Sequence, residues 1–207
     1  MSWSLYLPFF IATVLISLSP GPGALAAMGA GLGQGFARGQ AIAFGLLLGV
    51  WTQTAVVGAG LGAVLATSET AFAIVKWVGA AYLVWLGVQQ WRAPAHALQA
   101  TGDGAPLSRA ALVLRGWGVN ALNPKGTVFL LAVLPQFIDA SAPLLPQYLV
   151  IGATFGVVEC LVMSGYVALA SRLQVLLHSP RRLRLMNRAM GSLFMAAGTA
   201  LALFKRT

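Results

Sequence analysis

The chain has 207 residues, of which 58% are hydrophobic and only 8% are charged, against about 25% charged residues in an average soluble domain. This composition excludes an ordinary soluble domain and predicts an integral membrane protein. The formal net charge of +9 would favour nucleic-acid binding in a soluble protein, but no basic module with interleaved aromatic residues is visible. We therefore expect a lipid bilayer and no nucleic acid among its partners.

Six apolar segments are long enough to cross a bilayer as helices. The first lacks the basic start of a signal peptide, so we treat it as a mature helix. Several glycines of the second segment are four residues apart, which predicts close approach of another helix; they are Gly45, Gly49, Gly58, Gly60 and Gly62. The segments are Leu5–Met28, Ala41–Ala66, Lys76 to Trp91 or Arg92, Ala111–Ile138, Tyr148–Ala170 and Ala189–Phe204.

The two halves of the chain repeat each other. We divide the chain into a first three-helix repeat at 1–92, a polar linker at 93–110 and a second three-helix repeat at 111–207. Pro20 and Pro124 are 104 positions apart, and a shift of 112 lays KWVGAAYL at 76–83 over RAMGSLFM at 188–195. Because each half has three spans, the second half must enter the membrane from the opposite side. We therefore predict an all-α membrane protein with six transmembrane helices arranged as two inverted repeats, as in many secondary transporters.

The basic residues predict the orientation of these spans. With the N-terminus outside, the inner loops contain most of the arginines, including those of SPRRLRLMNR, which we interpret as a short basic loop between the fifth and sixth spans. The outer side then holds only Lys76, Lys205 and Arg206. Because Lys and Arg concentrate in cytoplasmic loops, we expect both termini outside a multi-pass protein of the bacterial cytoplasmic (inner) membrane.

The first span contains a break in its helical pattern at LSPGPG, residues 18–23. Pro20 and Pro22 remove amide donors and disfavour helical geometry at the residues before them, while Gly21 and Gly23 permit unusual backbone conformations. Within a membrane, such a break is tolerated where it lines a protein-walled cavity. The restarted helix would present free N–H groups that attract a carboxylate. The alternative is a simple kink.

The fourth span breaks in the same way at NALNPK, residues 120–125. Asn123 is pushed out of helical geometry by Pro124, and Lys125 follows directly. If Lys125 lies deep in the span, it is a fixed positive charge for a substrate carboxylate or for an acid such as Glu159. If it lies near the end of the span, it extends to the inner interface instead. We predict that the two breaks, with Asn120, form one substrate site.

Glu159 is the acidic residue placed deepest within a predicted span. Buried and unpaired it would hold a proton, whereas beside Lys125 or a substrate ammonium it would ionise, so it is a candidate proton carrier; a structural ion pair is the alternative. Asp139, at the end of the fourth span, is a second candidate, although a surface charge is the simpler interpretation. Gln53 is a candidate for the substrate site or for interhelical hydrogen bonding. No nucleotide, metal or nucleophile motif is present, so we expect no cofactor, no metal and no enzyme activity.

These residues resemble those of a known family. SPGPGALAAMGAGLGQGFARGQAIAFG and NALNPKGTVFLLAVLPQFID are similar to the two signature stretches of LysE/RhtB-type amino-acid exporters, and the six-span length agrees over nearly the whole chain. The resemblance implies efflux of an amino acid or a close derivative, such as homoserine or homoserine lactone, driven by the proton gradient.

The match covers Pro20, Gly21, Pro22 and Gly23 in the first motif and Asn123, Pro124 and Lys125 in the second. Glu159 falls where many members have an acid in span five. Members often have an acidic residue after the glycine that matches Gly49, and here that residue is Val50. This departure favours neutral over cationic substrates and leaves proton coupling to Glu159 or Asp139.

Two interpretations remain beside a proton-coupled amino-acid exporter. One is export of another small ion or metabolite, such as a metal cation, and the other is a membrane scaffold without transport. A membrane enzyme or redox carrier is disfavoured because the chain has a single cysteine and no paired thiol. The sequence leaves open the exact substrate and the formation of a homodimer.

Overall fold

The computed structural model describes residues 3–19, 21–65, 69–93, 107–139, 141–172 and 180–203, and all the regular structure in these ranges is helical. The long second helix is two helices joined at Gly35, whose φ of 72° is the left-handed conformation that glycine adopts without strain. The helices are α1 (Trp3–Leu18), α2 (Pro22–Leu65), α3 (Glu69–Arg92), α4 (Arg109–Ala121), α5 (Pro124–Phe137), α6 (Leu144–Arg172) and α7 (Pro180–Leu203).

The helices follow the predicted segments closely. The first predicted span corresponds to α1 and residues 22–34 of α2, the second to residues 36–65, and the fourth to α4 and α5. Among the described residues, two helical stretches are long and apolar enough to cross a membrane, Pro22–Gly60, which contains the kink at Gly35, and Leu144–Arg172. Most of the predicted polar linker, at 94–106, lies outside the described residues.

The last helix differs from the prediction. We expected a basic loop up to Arg188, but α7 begins at Pro180 and includes that basic stretch. Proline is favoured at the first position of a helix, and the leucines, arginines and methionine that follow are good helix formers. The interpretation of Pro180–Arg188 as a loop was therefore wrong. Helix α3 likewise begins at Glu69, before the predicted Lys76.

The helices form two groups, and the contacts within each group are more extensive than those between the groups. Helix α2 makes extensive contacts with α4 and α6, while α3 packs mainly against α7 and more weakly against α5. One buried apolar cluster joins α2, α4 and α6, and includes Leu46, Leu112 and Val167. A second cluster contains residues of α1, α5 and α6, including Phe9, Phe129 and Phe155.

Glycines account for the close contact between α2 and α4. A methyl group on Gly45 would collide with the carbonyl oxygen of Val113, and one on Gly116 would collide with that of Ile42. A methyl group on Gly49 would lie 2.6 Å from Cβ of Asn120. The predicted close approach at Gly45 and Gly49 is thus confirmed, and it brings Asn120 against the middle of α2.

Candidate functional site

The first break lies between α1 and α2. Helix α1 ends at Leu18, and the Gly21 carbonyl accepts the first hydrogen bond of α2 from Leu25 N at 2.9 Å. Pro20 lies outside the described residues. Pro22 occupies the first position of α2, where its missing N–H costs nothing. The next amides, those of Gly23 and Ala24, belong to the first turn, whose N–H groups have no acceptor within their own helix.

The second break lies between α4 and α5. Asn123 has an extended backbone and caps α5, because its side-chain oxygen accepts a hydrogen bond from Lys125 N at 3.1 Å. Pro124 occupies the first turn of α5. An asparagine cap followed by proline explains locally why a new helix starts here.

The two breaks meet through Lys125. Its ammonium donates a hydrogen bond of 2.6 Å to the Ser19 hydroxyl and one of 3.1 Å to the Ser19 carbonyl. The Ser19 carbonyl lies just beyond the end of α1, where the helix does not continue and so does not supply the N–H group that would donate to this oxygen. The ammonium is therefore held within the protein by the end of the other broken helix.

A cavity of about 40 Å³ lies between the breaks. This volume holds a few water molecules, since one water needs roughly 10–15 Å³ on the same measure. Backbone of the first break and side chains of four other helices line it, among them Gly21, Gly23, Gln53, Asn120, Lys125 and Glu159.

Glu159 approaches the cavity from α6 and is only 4% exposed. Its carboxyl group accepts a hydrogen bond of 2.8 Å from the Ser17 hydroxyl and one of 3.0 Å from the Asn120 amide. The Asn120 amide also donates to the Leu46 carbonyl at 2.8 Å. These contacts connect the acid to α1, α4 and α2, all through neutral donors. Lys125 and Glu159 thus line one cavity while they hold different hydrogen-bond partners.

Gln53 supports the second break from α2. Its amide nitrogen donates to the Asn123 carbonyl at 2.8 Å and to the Thr127 hydroxyl at 2.9 Å. Its amide oxygen is buried and, within the described part of the chain, has no hydrogen-bond partner. Because Gln53 lines the cavity, that oxygen is an available acceptor for a donor on a bound molecule.

Most of the predicted site residues come together. Gly21, Gly23, Gln53, Asn120, Asn123, Lys125 and Glu159 line the cavity. The exposed Pro22 and Pro124 start the two helices and act through the backbone. Asp139 lies just beyond α5, at about 20 Å along the helix from Lys125 by helical rise, and accepts hydrogen bonds from Ser141 at 3.0 and 2.6 Å.

Four contacting residues were not predicted. They are Ser17 and Ser19, which hold Glu159 and Lys125; Tyr166, whose hydroxyl donates to the Leu18 carbonyl at 2.6 Å; and Phe194, whose ring centroid is 5.3 Å from the Lys125 ammonium. The serines flank the first break, and this position in the sequence could have identified them as site residues. Nothing in the sequence pattern links Tyr166 or Phe194 to the breaks.

Comparisons with known proteins agree with this arrangement. The model of the family described as LysE type translocator matches residues 14–204, nearly the whole chain. The chain belongs to this family. LysE type translocators are transporters, so the chain is a membrane transporter and not an enzyme, as predicted from its sequence.

The relatives of this LysE-family chain carry informative names. It is 42% identical over 202 residues to a homoserine/homoserine lactone efflux protein of Salmonella typhi, with 98% of each chain covered. It is 42% identical to an uncharacterized membrane protein of Vibrio cholerae, covering 99% of this chain and 100% of that one. A leucine efflux protein of an Enterobacter species is 28% identical over 94% of this chain and 93% of its own. No solved structure matches the chain.

Proposed function

We propose that this transporter exports neutral amino acids or close derivatives, of the homoserine and homoserine lactone class, across the cytoplasmic membrane by proton antiport. The observation that carries the proposal is the meeting of two broken helices at a cavity lined by one half-buried lysine and one buried glutamate, Lys125 and Glu159. Buried ionisable residues of membrane proteins mark substrate and proton pathways. The names of the relatives supply the substrate class.

The substrate carboxylate, or the carbonyl of a lactone, binds at Lys125. The Lys125 ammonium lies at the first break, where Gly23 and Ala24, two residues of the first turn of α2, also line the cavity. Helix N-termini favour negative charge, so both sources attract the same group. The substrate replaces the Ser19 hydroxyl as a partner of the ammonium.

The substrate ammonium binds on the opposite side, between Glu159 and the free amide oxygen of Gln53. These two groups accept hydrogen bonds, as an ammonium requires. Val50 also lines the cavity, in place of a second acid. A site with one half-buried lysine and one buried glutamate matches a zwitterion and lacks a partner for a cationic side chain.

Proton exchange follows because a proton and the substrate ammonium compete for the Glu159 carboxylate. A carboxylate that is closed off from bulk water carries either a proton or the substrate ammonium, because an unpaired buried charge is costly. Release of the substrate outside then lets a proton bind, and loss of the proton inside lets the next substrate bind. Asp139 remains the alternative acid.

Alternating access requires the cavity to change size. At about 40 Å³ it is too small for an amino acid, since small-molecule pockets have volumes of about 300 Å³ and more. In the proposed topology the two three-helix repeats are inverted, with both termini outside. Rocking of one repeat against the other then opens the breaks to each side in turn.

The test is export from inverted or right-side-out proteoliposomes loaded with labelled homoserine. Lys125→Met removes the ammonium at similar length, and we expect transport to fall at least tenfold while the protein still purifies as wild type. Arg109→Met, at the exposed first turn of α4, removes one positive charge outside the cavity and serves as the control. Equal transport by Lys125→Met and wild type would contradict the assigned role.

A further inference from the structure

A buried hydroxyl without a partner lies one helical turn from the residue that holds Glu159. Thr13 of α1 is 0% exposed, and its hydroxyl has no hydrogen-bond partner in the part of the chain that the structure describes. Thr13 precedes Ser17 by four residues, so both side chains lie on the same face of α1. The Ser17 hydroxyl donates to the Glu159 carboxyl group at 2.8 Å. The unpartnered hydroxyl is therefore close to the candidate proton carrier.

Other threonines show that a helix does not by itself leave this hydroxyl unpartnered. The hydroxyl of a helical threonine commonly donates to the carbonyl oxygen of the residue four positions earlier. Thr13 makes no such bond to Phe9. Because buried polar groups without a protein partner are commonly satisfied by ordered water, Thr13 is suited to hold a water molecule. Four threonines that do bond within their own helix, at 2.8–3.2 Å, are Thr52, Thr54, Thr127 and Thr199.

A water molecule fits between Thr13 and Ser17. Side chains four residues apart on a helix have Cβ atoms about 5–6 Å apart, and two hydrogen bonds of about 2.8 Å each cover that distance. The Ser17 hydroxyl uses its proton on Glu159, so its oxygen can still accept a hydrogen bond. A water held by Thr13 can donate to that oxygen. The result is a continuous series of donors that ends at the Glu159 carboxyl group.

This series leads away from the charged and titratable groups near Glu159. Within the described residues, Lys125 of α5 and Tyr166 of α6 are the titratable groups that interact electrostatically with Glu159. Both donate hydrogen bonds to carbonyl oxygens at the C-terminal end of α1. Thr13 lies on the other side of Ser17, toward the N-terminus of α1. A proton can therefore approach Glu159 along α1 without passing the Lys125 ammonium.

The same face of α1 extends to the membrane surface at Tyr6. Tyr6 precedes Ser17 by 11 residues, about 16 Å by helical rise, which is about half of a hydrocarbon core of roughly 30 Å. With Ser17 in mid-bilayer, Tyr6 lies at the interface, where tyrosine is enriched. Its hydroxyl accepts a hydrogen bond of 3.5 Å from Thr154 of α6. In the proposed topology this end of α1 is outside, the side from which the proton enters.

Phenylalanine side chains close this path between Thr13 and Tyr6. Phe9 lies one turn before Thr13 and is fully buried, and its ring centroid is 5.6 Å from that of Phe137 and 6.5 Å from that of Phe155. Phe155 also lines the polar cavity. Water reaches Thr13 from outside when these rings separate. Because one of the rings belongs to the cavity wall, proton entry is connected to outward opening of the cavity.

We infer that the proton that binds Glu159 arrives from the outer side through a water molecule held between Thr13 and Ser17. The inference rests on the proposed function and specifies the proton path of that site. A hydronium ion at the water position transfers a proton to the Ser17 oxygen while the Ser17 hydroxyl proton passes to the Glu159 carboxylate. One O–H bond forms and one breaks at Ser17, the water becomes neutral, and the acid becomes neutral. Thr13 is a positioning residue, since it holds the water.

The experiment removes the Thr13 hydroxyl in proteoliposomes that carry labelled homoserine. Thr13→Val replaces the hydroxyl by a methyl group of similar size, and Thr13→Ser keeps a hydroxyl. Thr54→Val is the matched control, because Thr54 is also buried, donates within its own helix to the Val50 carbonyl, and does not line the polar cavity. Two rates are measured for each variant: export driven by a proton gradient, and exchange of labelled for unlabelled homoserine.

We expect Thr13→Val to lower gradient-driven export at least fivefold and to keep exchange within twofold of wild type, because exchange needs no proton. Thr13→Ser and Thr54→Val should keep both rates within twofold of wild type. Equal losses of export and exchange in Thr13→Val would mean a purely structural role and would overturn the inference. Unchanged gradient-driven export in Thr13→Val, or an equal loss in Thr13→Ser, would overturn it as well.

Infrared spectroscopy separates this inference from the proposed function. After a rapid drop in pH, the purified protein should show the carbonyl band of protonated Glu159, identified by its absence from Glu159→Gln. The band should appear at least fivefold more slowly in Thr13→Val than in wild type and Thr54→Val. If it does so although homoserine is not transported, the proton path stands and the transport proposal fails. If homoserine is exported and the band is absent or equally fast in all three proteins, the proton path fails alone.

Discussion

At the scale of single residues, Lys125 and Glu159 line one cavity, and both are held by neutral hydrogen-bond partners. Lys125 is held by Ser19, and Glu159 by Ser17 and Asn120. These neutral partners can be exchanged for groups of a substrate, because the hydrogen bonds lost are replaced by equivalent ones. The arrangement is therefore suited to repeated binding and release.

Replacement of Glu159 separates binding from coupling. Glu159→Gln keeps the shape of the side chain and an acceptor oxygen but cannot exchange a proton. We expect exchange of labelled for unlabelled homoserine to continue at a reduced rate, while export driven by a proton gradient falls to the level of empty liposomes. Asp139→Asn should leave gradient-driven export unchanged, because Asp139 lies outside the cavity lining. The opposite pattern would assign coupling to Asp139.

At the scale of helices, the cap of α5 can be tested against a cap elsewhere. Asn123 caps α5 at the second break, and Ser108 caps α4 with a 3.2 Å hydrogen bond from Ala111 N at an exposed position. Loss of either cap costs about 0.5–2 kcal/mol of stability. We predict that Asn123→Ala and Ser108→Ala lower the melting temperature similarly, and that only Asn123→Ala slows homoserine export. A matching loss of export in Ser108→Ala would mean that α5 capping has no special role.

The contact between α2 and α4 gives a second prediction at this scale. A methyl group on Gly116 collides with the α2 backbone, whereas one on Gly118 of the same helix meets nothing within 4 Å. Gly116→Ala should destabilise the protein by about 1–3 kcal/mol through overpacking. Gly118→Ala should stabilise it by up to about 1 kcal/mol, since alanine favours helix more than glycine. Melting curves in detergent that show the same shift for both variants would contradict the packing argument.

The helix breaks were predictable because their causes are local. Proline and glycine act on the backbone of their own and neighbouring residues, so the sequence around Pro22 and Pro124 carries the whole signal. The start of α7 was missed because the run of arginines was taken as evidence of a loop, although arginine is compatible with a helix. The contacts of Tyr166 and Phe194 were missed because they depend on how distant helices pack. For these two residues, unlike the glycines of α2, packing between helices leaves no pattern in the sequence.

At the scale of the whole molecule, the helices are divided into two separately packed groups, and this division indicates which helices can move relative to the others. Helices α3 and α7 pack mainly against each other, while α2, α4 and α6 form a separate tightly packed group. A groove of about 310 Å³ between α1 and α5 is lined by one residue each of α3 and α7, Leu83 and Phe194. Movement of the α3 and α7 pair would carry Phe194 away from Lys125 and enlarge the polar cavity from that side.

The proposed topology is testable by reporter fusions. With both termini outside, alkaline phosphatase joined after Thr207 should be active, because this enzyme needs the oxidising environment outside the cytoplasm. A green fluorescent protein inserted in the polar linker at 93–110 should be fluorescent, since that linker lies inside. Inactive phosphatase at the C-terminus together with a dark insertion in the linker would contradict the proposed orientation.

The central claim is that two broken helices meet and hold the charged groups of one substrate between Lys125 and Glu159. The most direct measurement is an experimental structure of the protein in a lipid environment with homoserine bound. The account predicts the substrate between the two breaks, with its carboxylate within hydrogen-bond distance of the Lys125 ammonium and its amine facing Glu159. Continuous helices at both breaks, or a substrate bound away from Lys125, would contradict the account.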